Sequence, residues 1–417
     1  MRVDSLLRAT TRATIRATTD WLAVATAIAA GITAATFVGK IAPALPALKD
    51  EFGLSLIAAG WFVAIFNIIA ATGAIFIGLT ADRLGSLRLC LFGLVSLVLG
   101  GAGGAVTASE TWLLVSRIVE GLGFVAVTVS APGLISAAAT PADRALALGY
   151  WSSYMPIGAG LALAVAGFSL DAIGWRGLWW SAALTALVCA VALWLERHRY
   201  DSARGAPRSL AQVRASLAQP VPWLLGLAFG MYTLQWHAIM VWLPTYLTTT
   251  FELSAALAAW LTLAYVLINI IGNTTGGRLV HAGVARGKII AGAFTVTSVL
   301  FVAIFNDSVP PMVRYALVLT YSAATGVVAA AVLSGSARYA RHPSEVGSIQ
   351  GLLVQVSQWG VFISPLAIAF AVTWGGGWQA ALWVLLSAGA IGLVTGLVIL
   401  RFEQREASNA TNKGLHV

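Results

Sequence analysis

Twelve runs of about 20 predominantly apolar residues leave this 417-residue chain few ways to fold. They lie at 21–46, 55–80, 88–107, 111–138, 144–170, 176–196, 221–247, 255–279, 288–305, 312–337, 346–373 and 378–400, with short polar connectors between them. Each is long enough to cross a bilayer as a helix. Inside lipid every backbone polar group must be satisfied within the chain, so only helices or a closed barrel can span. The runs lack the strict apolar/polar alternation of a barrel strand. The expected fold is therefore an all-α membrane protein with twelve transmembrane helices. Composition agrees: 59% of residues are hydrophobic and 10% charged, more apolar surface than a soluble protein of this length could hide.

The formal net charge of +9 would suggest a nucleic-acid partner if the cations were scattered, but they are sorted. With both termini on the cytoplasmic side, 20 of the 25 Lys and Arg residues fall there. Four are in the N-terminal tail, and five (Arg197, Arg199, Arg204, Arg208, Arg214) are in the connector after the sixth run. Only Lys40, Lys49, Arg117, Arg176 and Arg314 lie elsewhere. That asymmetry is the positive-inside pattern of an inner (plasma) membrane protein. The charge thus predicts orientation and contact with membrane lipids, not nucleic acid. Cys90 and Cys189 fall inside predicted spans, far apart, and read as small buried hydrophobes. No metal-ligand spacing, phosphate loop or catalytic triad is present in the sequence, so no metal, no cofactor and no enzymatic activity is expected.

The second half of the chain echoes the first. "PADRALALGYWSSYMPIG" at 141–158 aligns with "PSEVGSIQGLLVQVSQWG" at 343–360, matching Pro141, Asp143, Gly149 and Gly158 with Pro343, Glu345, Gly351 and Gly360. "GWRGLWW" from Gly174 and "GWQAALW" from Gly377 form a second echo, and "FGLS" at 52–55 and "FELS" at 251–254 a third, all at offsets of 199 to 203. The predicted organisation is a cytoplasmic tail (1–20), a six-helix bundle (21–196), a cytoplasmic loop (197–220), a second six-helix bundle (221–401) and a second cytoplasmic tail (402–417). Six spans per repeat give both halves the same orientation. This is the parallel repeat that places a substrate site between halves near the midplane.

The connector "GLTADRLGSLR" at 78–88 concentrates charge between the second and third runs. Gly78, Asp82, Arg83, Gly85 and Arg88 resemble the loop signature of the major facilitator superfamily, although Ser86 and Leu87 stand where that family usually has basic residues. "SRIVEGLG" at 116–123 resembles a second family signature through Arg117 and Gly121, with Glu120 in place of the usual Gln. The antiporter signature of span 5 is poorly met. "SSYMPIGAG" keeps Pro156, Gly158 and Gly160 but has Met155 where Gly is expected. "MVWLPTYLTTTFELS" and "GKIAPALPALKDEFGLS" are similar to the cyanate, nitroimidazole and organic-anion carriers of that family. The resemblance implies a secondary transporter working by alternating access. It also implies that Gly78, Asp82, Arg83, Gly85 and Arg88 form a latch in which Asp82 meets the start of span 11.

Polar residues inside spans are expensive and face an interior. Tyr265, Asn269 and Asn273 share one face of span 8. Span 7 adds Tyr232, Gln235, Trp236 and the nearby His237; span 11 adds Gln355 and Gln358; span 5 adds Tyr150 and Tyr154; span 2 adds Asn67. Each could line a cavity or hydrogen-bond between helices. Lys40 and Arg117 would supply positive charge for an anion, Lys40 alternatively snorkelling to water. Arg117 and Glu120, at i and i+3, can pair, and Glu120 could take the coupling proton. The expected function is uptake of a small anion by proton symport, by a monomer. The alternative is proton-driven efflux of drugs or metabolites.

Overall fold

The computed structural model describes residues 18–140, 142–151, 153–200, 219–339 and 346–414. Among them there are thirteen α-helices and no strand. In chain order the helices are α1 (Trp21–Gly39), α2 (Ile41–Phe52), α3 (Leu56–Leu84), α4 (Ser86–Val106), α5 (Glu110–Ala138), α6 (Arg144–Trp151), α7 (Tyr154–Leu195), α8 (Pro220–Thr250), α9 (Ala255–His281), α10 (Arg286–Ile304), α11 (Pro311–Arg338), α12 (Val346–Trp374) and α13 (Ala381–Gly414). Eleven helical stretches among the described residues are long and apolar enough to cross a membrane.

One of the eleven, α7, has 42 residues, about 63 Å at 1.5 Å per residue and twice the thickness of a hydrocarbon core. It is broken by a kink at Gly174, whose φ of 63° and ψ of −177° open only to glycine at low cost. The chain thus makes twelve crossings, with the fifth and sixth joined at Gly174.

Several ends differ from the sequence expectation. The first crossing runs to Phe52 rather than 46, and is broken between Gly39 and Ile41. Pro43 explains the break: its ring clashes with the carbonyl four residues back, that of Gly39, and it has no N–H to donate there. The run 144–170 divides into α6 and α7 around 152–153, and Pro156 falls in the first turn of α7, where its missing N–H costs nothing. The last helix continues to Gly414, well past 400. Cys90 and Cys189 are buried and free.

The helices form two compact units. The first comprises residues 1–38, 74–161 and 179–207. Its helices meet through small residues, which let backbones approach where lipid offers no hydrophobic driving force. A methyl group on Gly93 of α4 would stand 2.8 Å from the Gly123 carbonyl of α5. One on Gly158 of α7 would collide with the Ile32 carbonyl of α1.

The second unit comprises 39–73, 162–178 and 208–417. Its core gathers Leu225 of α8, Phe294 of α10, Val332 of α11, Leu353 of α12 and Ile399 of α13. Gly360 of α12 lies against the Gly230 carbonyl of α8 as closely as Gly158 does on α1. The glycine pair matched by the sequence repeat therefore marks the same crossing twice, fifth helix on first and eleventh on seventh. The second unit also takes in two segments from the first repeat, 39–73 and 162–178. Trp61 of α3 meets Phe362 of α12 edge-on at 6.4 Å, and Phe168 of α7 meets Trp260 of α9 at 4.6 Å.

Candidate functional site

The most unusual chemistry in the first unit is a charged pair inside an apolar helix. Arg117 lies seven residues into α5, about 10 Å along it. The side chains of Arg117 and Glu120 are 1% and 0% exposed and form an ion pair through Nη1 and Oε2. The same Nη1 donates to the Phe37 carbonyl of α1 at 3.3 Å. Phe37 belongs to the last turn of α1, where helix carbonyls run short of intrahelical donors. Arg117 thus caps the broken first crossing. A methyl group on Gly100 of α4 would stand 2.7 Å from Cγ of Glu120, so the glycine makes room for the carboxylate side chain between α4 and α5. A guanidinium cannot shed its proton in a protein, so Arg117 brings a fixed positive charge into the span, and Glu120 pairs with it.

The remaining predicted residues of the first unit are more open. Tyr154 stacks on Trp151 with ring centroids 4.3 Å apart, and Tyr150 is exposed beside Trp21 at 6.3 Å. Gly85 has φ of 88° and Arg88 is exposed. The side-chain positions at Gly78, Asp82 and Arg83 lie outside the described residues. Near the end of the sixth crossing Arg199 bonds Asp20 at 2.9 Å, and the Tyr200 hydroxyl donates to the Ala23 carbonyl at 2.7 Å. The Asp20 carboxylate holds Arg199 above its ordinary pKa, and burial raises the Tyr200 phenol.

In the second unit the span 8 residues come together with those of span 7. Asn269 accepts from the Tyr232 hydroxyl at 3.3 Å and from Asn273 Nδ2 at 3.0 Å, and donates to the Ser322 carbonyl at 2.8 Å. The Tyr265 hydroxyl donates to the Trp236 carbonyl at 2.9 Å, and the Tyr265 and Trp236 rings stack at 5.8 Å. Asn269 therefore stitches α8, α9 and α11 together, while Trp236 and Asn273 stay partly exposed.

Gln235 donates to the Leu385 carbonyl at 2.8 Å, and the buried His237 ring lies 2.9 Å from Ser364 Oγ. Gln355 donates to the Ala70 carbonyl at 3.2 Å and to that of Ala71, tying α12 to α3. Asn67 turns back to the Val63 carbonyl of its own helix at 3.3 Å, and Gln358 is partly buried. Lys40 sits in the α1–α2 break and is 1% exposed.

Sequence reasoning missed a clamp built on the second echo. Glu51 at the end of α2 takes two bonds from Arg176, at 2.8 and 2.6 Å, and one from Trp175 Nε1 at 2.7 Å. The counterpart turn places Gln379 Nε2 2.6 Å from Asp307, which also pairs with Arg314 at 3.1 Å. The repeated Gly-Trp dipeptide was the available signal, since it put a polar residue after the turn in both halves.

A family model described as Major Facilitator Superfamily matches residues 22–365, with a second match over 225–416. The chain belongs to the Major Facilitator Superfamily. It is 30% identical over 220 residues to a probable 4-methylmuconolactone transporter of Cupriavidus pinatubonensis, covering 49% of this chain and 50% of that one. It is 30% identical over 172 residues to the arabinose-proton symporter of Escherichia coli, covering 41% of this chain and 36% of that one. The chain thus spans about half or less of the length of these curated relatives. The crystal structure of a bacterial homolog of the human lysosomal transporter Spinster superposes with a TM-score of 0.77 at 17% identity, over 91% of this chain and 97% of that one. That likeness shows the fold. The superfamily chain is accordingly a multi-pass membrane protein with the fold of a transporter.

Proposed function

We propose that this chain is a secondary active transporter that carries a small organic anion together with protons across the inner membrane, with both termini cytoplasmic. The observation that carries the reading is the buried Arg117–Glu120 pair. While Glu120 is ionised it satisfies Arg117. When Glu120 takes a proton, Arg117 keeps its charge in an apolar span and attracts an anion. Proton and anion then each favour the other's binding, and the coupling is reciprocal. Lys40 is likewise a buried cation. Two relatives bear on transport with protons: one is named a probable 4-methylmuconolactone transporter and another an arabinose-proton symporter. The sorting of 20 of 25 basic residues to one side supports the orientation.

Cargo binding would draw on the partly exposed Trp236, Asn273 and Gln358. Gly78, Asp82, Arg83, Gly85 and Arg88 would form the cytoplasmic latch that alternating access opens and closes. Counterflow in proteoliposomes against a panel of small ring carboxylates, neutral sugars and lipophilic cations tests the reading. Exchange confined to carboxylates is the expected result. Exchange confined to lipophilic cations would replace it with drug efflux, and exchange of nothing would remove the assignment to small solutes.

A further inference from the structure

Away from the charged pair, the second unit carries an open groove of about 330 Å³ between α9, α10 and α11. Leu279, Val296 and Val327 are among its apolar walls, and Lys288 is its charged lining residue. Gly292 forms part of the floor, where an added methyl group would meet nothing within 4 Å. Gly292 and Lys288 are both exposed. Beside the groove's Leu279, the last turn of α9 carries Arg278 and His281, also exposed. Among the described residues, none forms an ion pair with Arg278, His281 or Lys288.

The neighbouring cation and helix end are already engaged. Arg286 lies 3.9 Å from Glu403, whose carboxylate also accepts from the backbone N–H groups of Arg286 and Gly287 at 3.2 and 2.9 Å. Glu403 is thus committed to the start of α10, and Lys288 and Arg278 remain for an outside anion.

We propose that this groove holds an anionic phospholipid, one acyl chain lying over Gly292 and its phosphate on Lys288 and Arg278. In a bilayer an apolar groove of this kind is filled by a chain of some lipid. Cations at one end select which, because a basic pocket between transmembrane helices attracts anionic headgroups. Lys288 reaches a headgroup while its stem stays on the apolar wall. A free phosphate would use the cations and leave the groove empty, so the continuous apolar floor favours a lipid.

Native mass spectrometry of the full chain in detergent tests the assignment, with phosphatidylglycerol, phosphatidylcholine of the same chains, and glycerol phosphate alone. Phosphatidylglycerol should be retained in preference to phosphatidylcholine, and glycerol phosphate should not. Lys288→Gln should weaken phosphatidylglycerol binding about fivefold, and Lys288→Gln with Arg278→Gln about 25-fold, at about 1 kcal/mol per charge. Gly292→Leu should abolish the preference by filling the groove. Val296→Phe, from an exposed wall position, should reduce it and serves where Gly292→Leu expresses poorly. Equal retention of the two lipids, binding of glycerol phosphate alone as tight as that of the lipid, or unchanged phosphatidylglycerol binding by the double charge variant would overturn the proposal.

Discussion

Removing either member of the Arg117–Glu120 pair should destabilise the protein by several kcal/mol, and the two losses should differ in their pH dependence. Both side chains are essentially inaccessible, so a partner left alone is a buried charge. Breaking such a pair costs about 3–5 kcal/mol. In Arg117→Met the group that loses its guanidinium partner is a carboxyl, which can respond by taking a proton. For an ordinary glutamate that costs about 3.7 kcal/mol at pH 7 and about 1 kcal/mol at pH 5. The loss should therefore shrink by roughly 2.7 kcal/mol over that range. In Glu120→Gln the group that loses its carboxylate partner is a guanidinium, which has no such response. Its loss should stay near about 3–5 kcal/mol at both pH values.

The double variant Arg117→Met/Glu120→Gln removes both charges of the pair and should be less destabilised than either single one at pH 7. Reversible unfolding in mixed micelles at pH 5 and pH 7 measures all four proteins. Parallel pH profiles for the two single variants, or a double variant showing the sum of the two losses, would mean that the two charges do not depend on each other.

Lys40→Gln should raise the apparent binding constant for an anionic cargo at least tenfold while Lys40→Arg retains part of the affinity; equilibrium binding to the purified protein decides, and unchanged binding by Lys40→Gln removes the lysine from the site. Asp82→Asn should insert normally and transport far more slowly, as the latch requires, and normal initial rates in a well-expressed protein would end that assignment. Gly158→Leu and Gly360→Leu should each prevent folding, because the new side chains meet the backbone carbonyls of Ile32 and Gly230. A monodisperse gel-filtration peak for either would show that the crossing has more slack than the structure gives it.

The twelve crossings were legible because lipid penalises any exposed backbone or charge, which forces long apolar runs into the sequence itself. The repeat was legible too, and Gly158 and Gly360 show why: the same helix crossing in each unit demands the same missing side chain. The breaks were harder to read. A proline three residues after Lys40 hints at a kink, but it does not say that the freed carbonyls at the end of α1 would find Arg117. Asn269 illustrates the same limit. The spacing of Tyr265, Asn269 and Asn273 puts them on one face, yet periodicity cannot distinguish a water-filled cavity from a neighbouring helix. Its partner on α11 is the backbone carbonyl of Ser322, a group that every residue carries and that no residue type announces. Gln235 and Gln355 likewise end on backbone carbonyls, and so does Arg117 in part.

In the proposed mechanism, concentrative transport rests on proton coupling through Glu120. Uptake of radiolabelled small ring carboxylates by proteoliposomes carrying the wild-type protein or Glu120→Gln, with and without an inward proton gradient, puts that coupling to the test. The wild type should exchange cargo without a gradient and concentrate it when one is applied. Glu120→Gln should still exchange cargo but should no longer concentrate it. Accumulation by Glu120→Gln equal to that of the wild type would place the proton carrier elsewhere and contradict a coupling role for the buried pair.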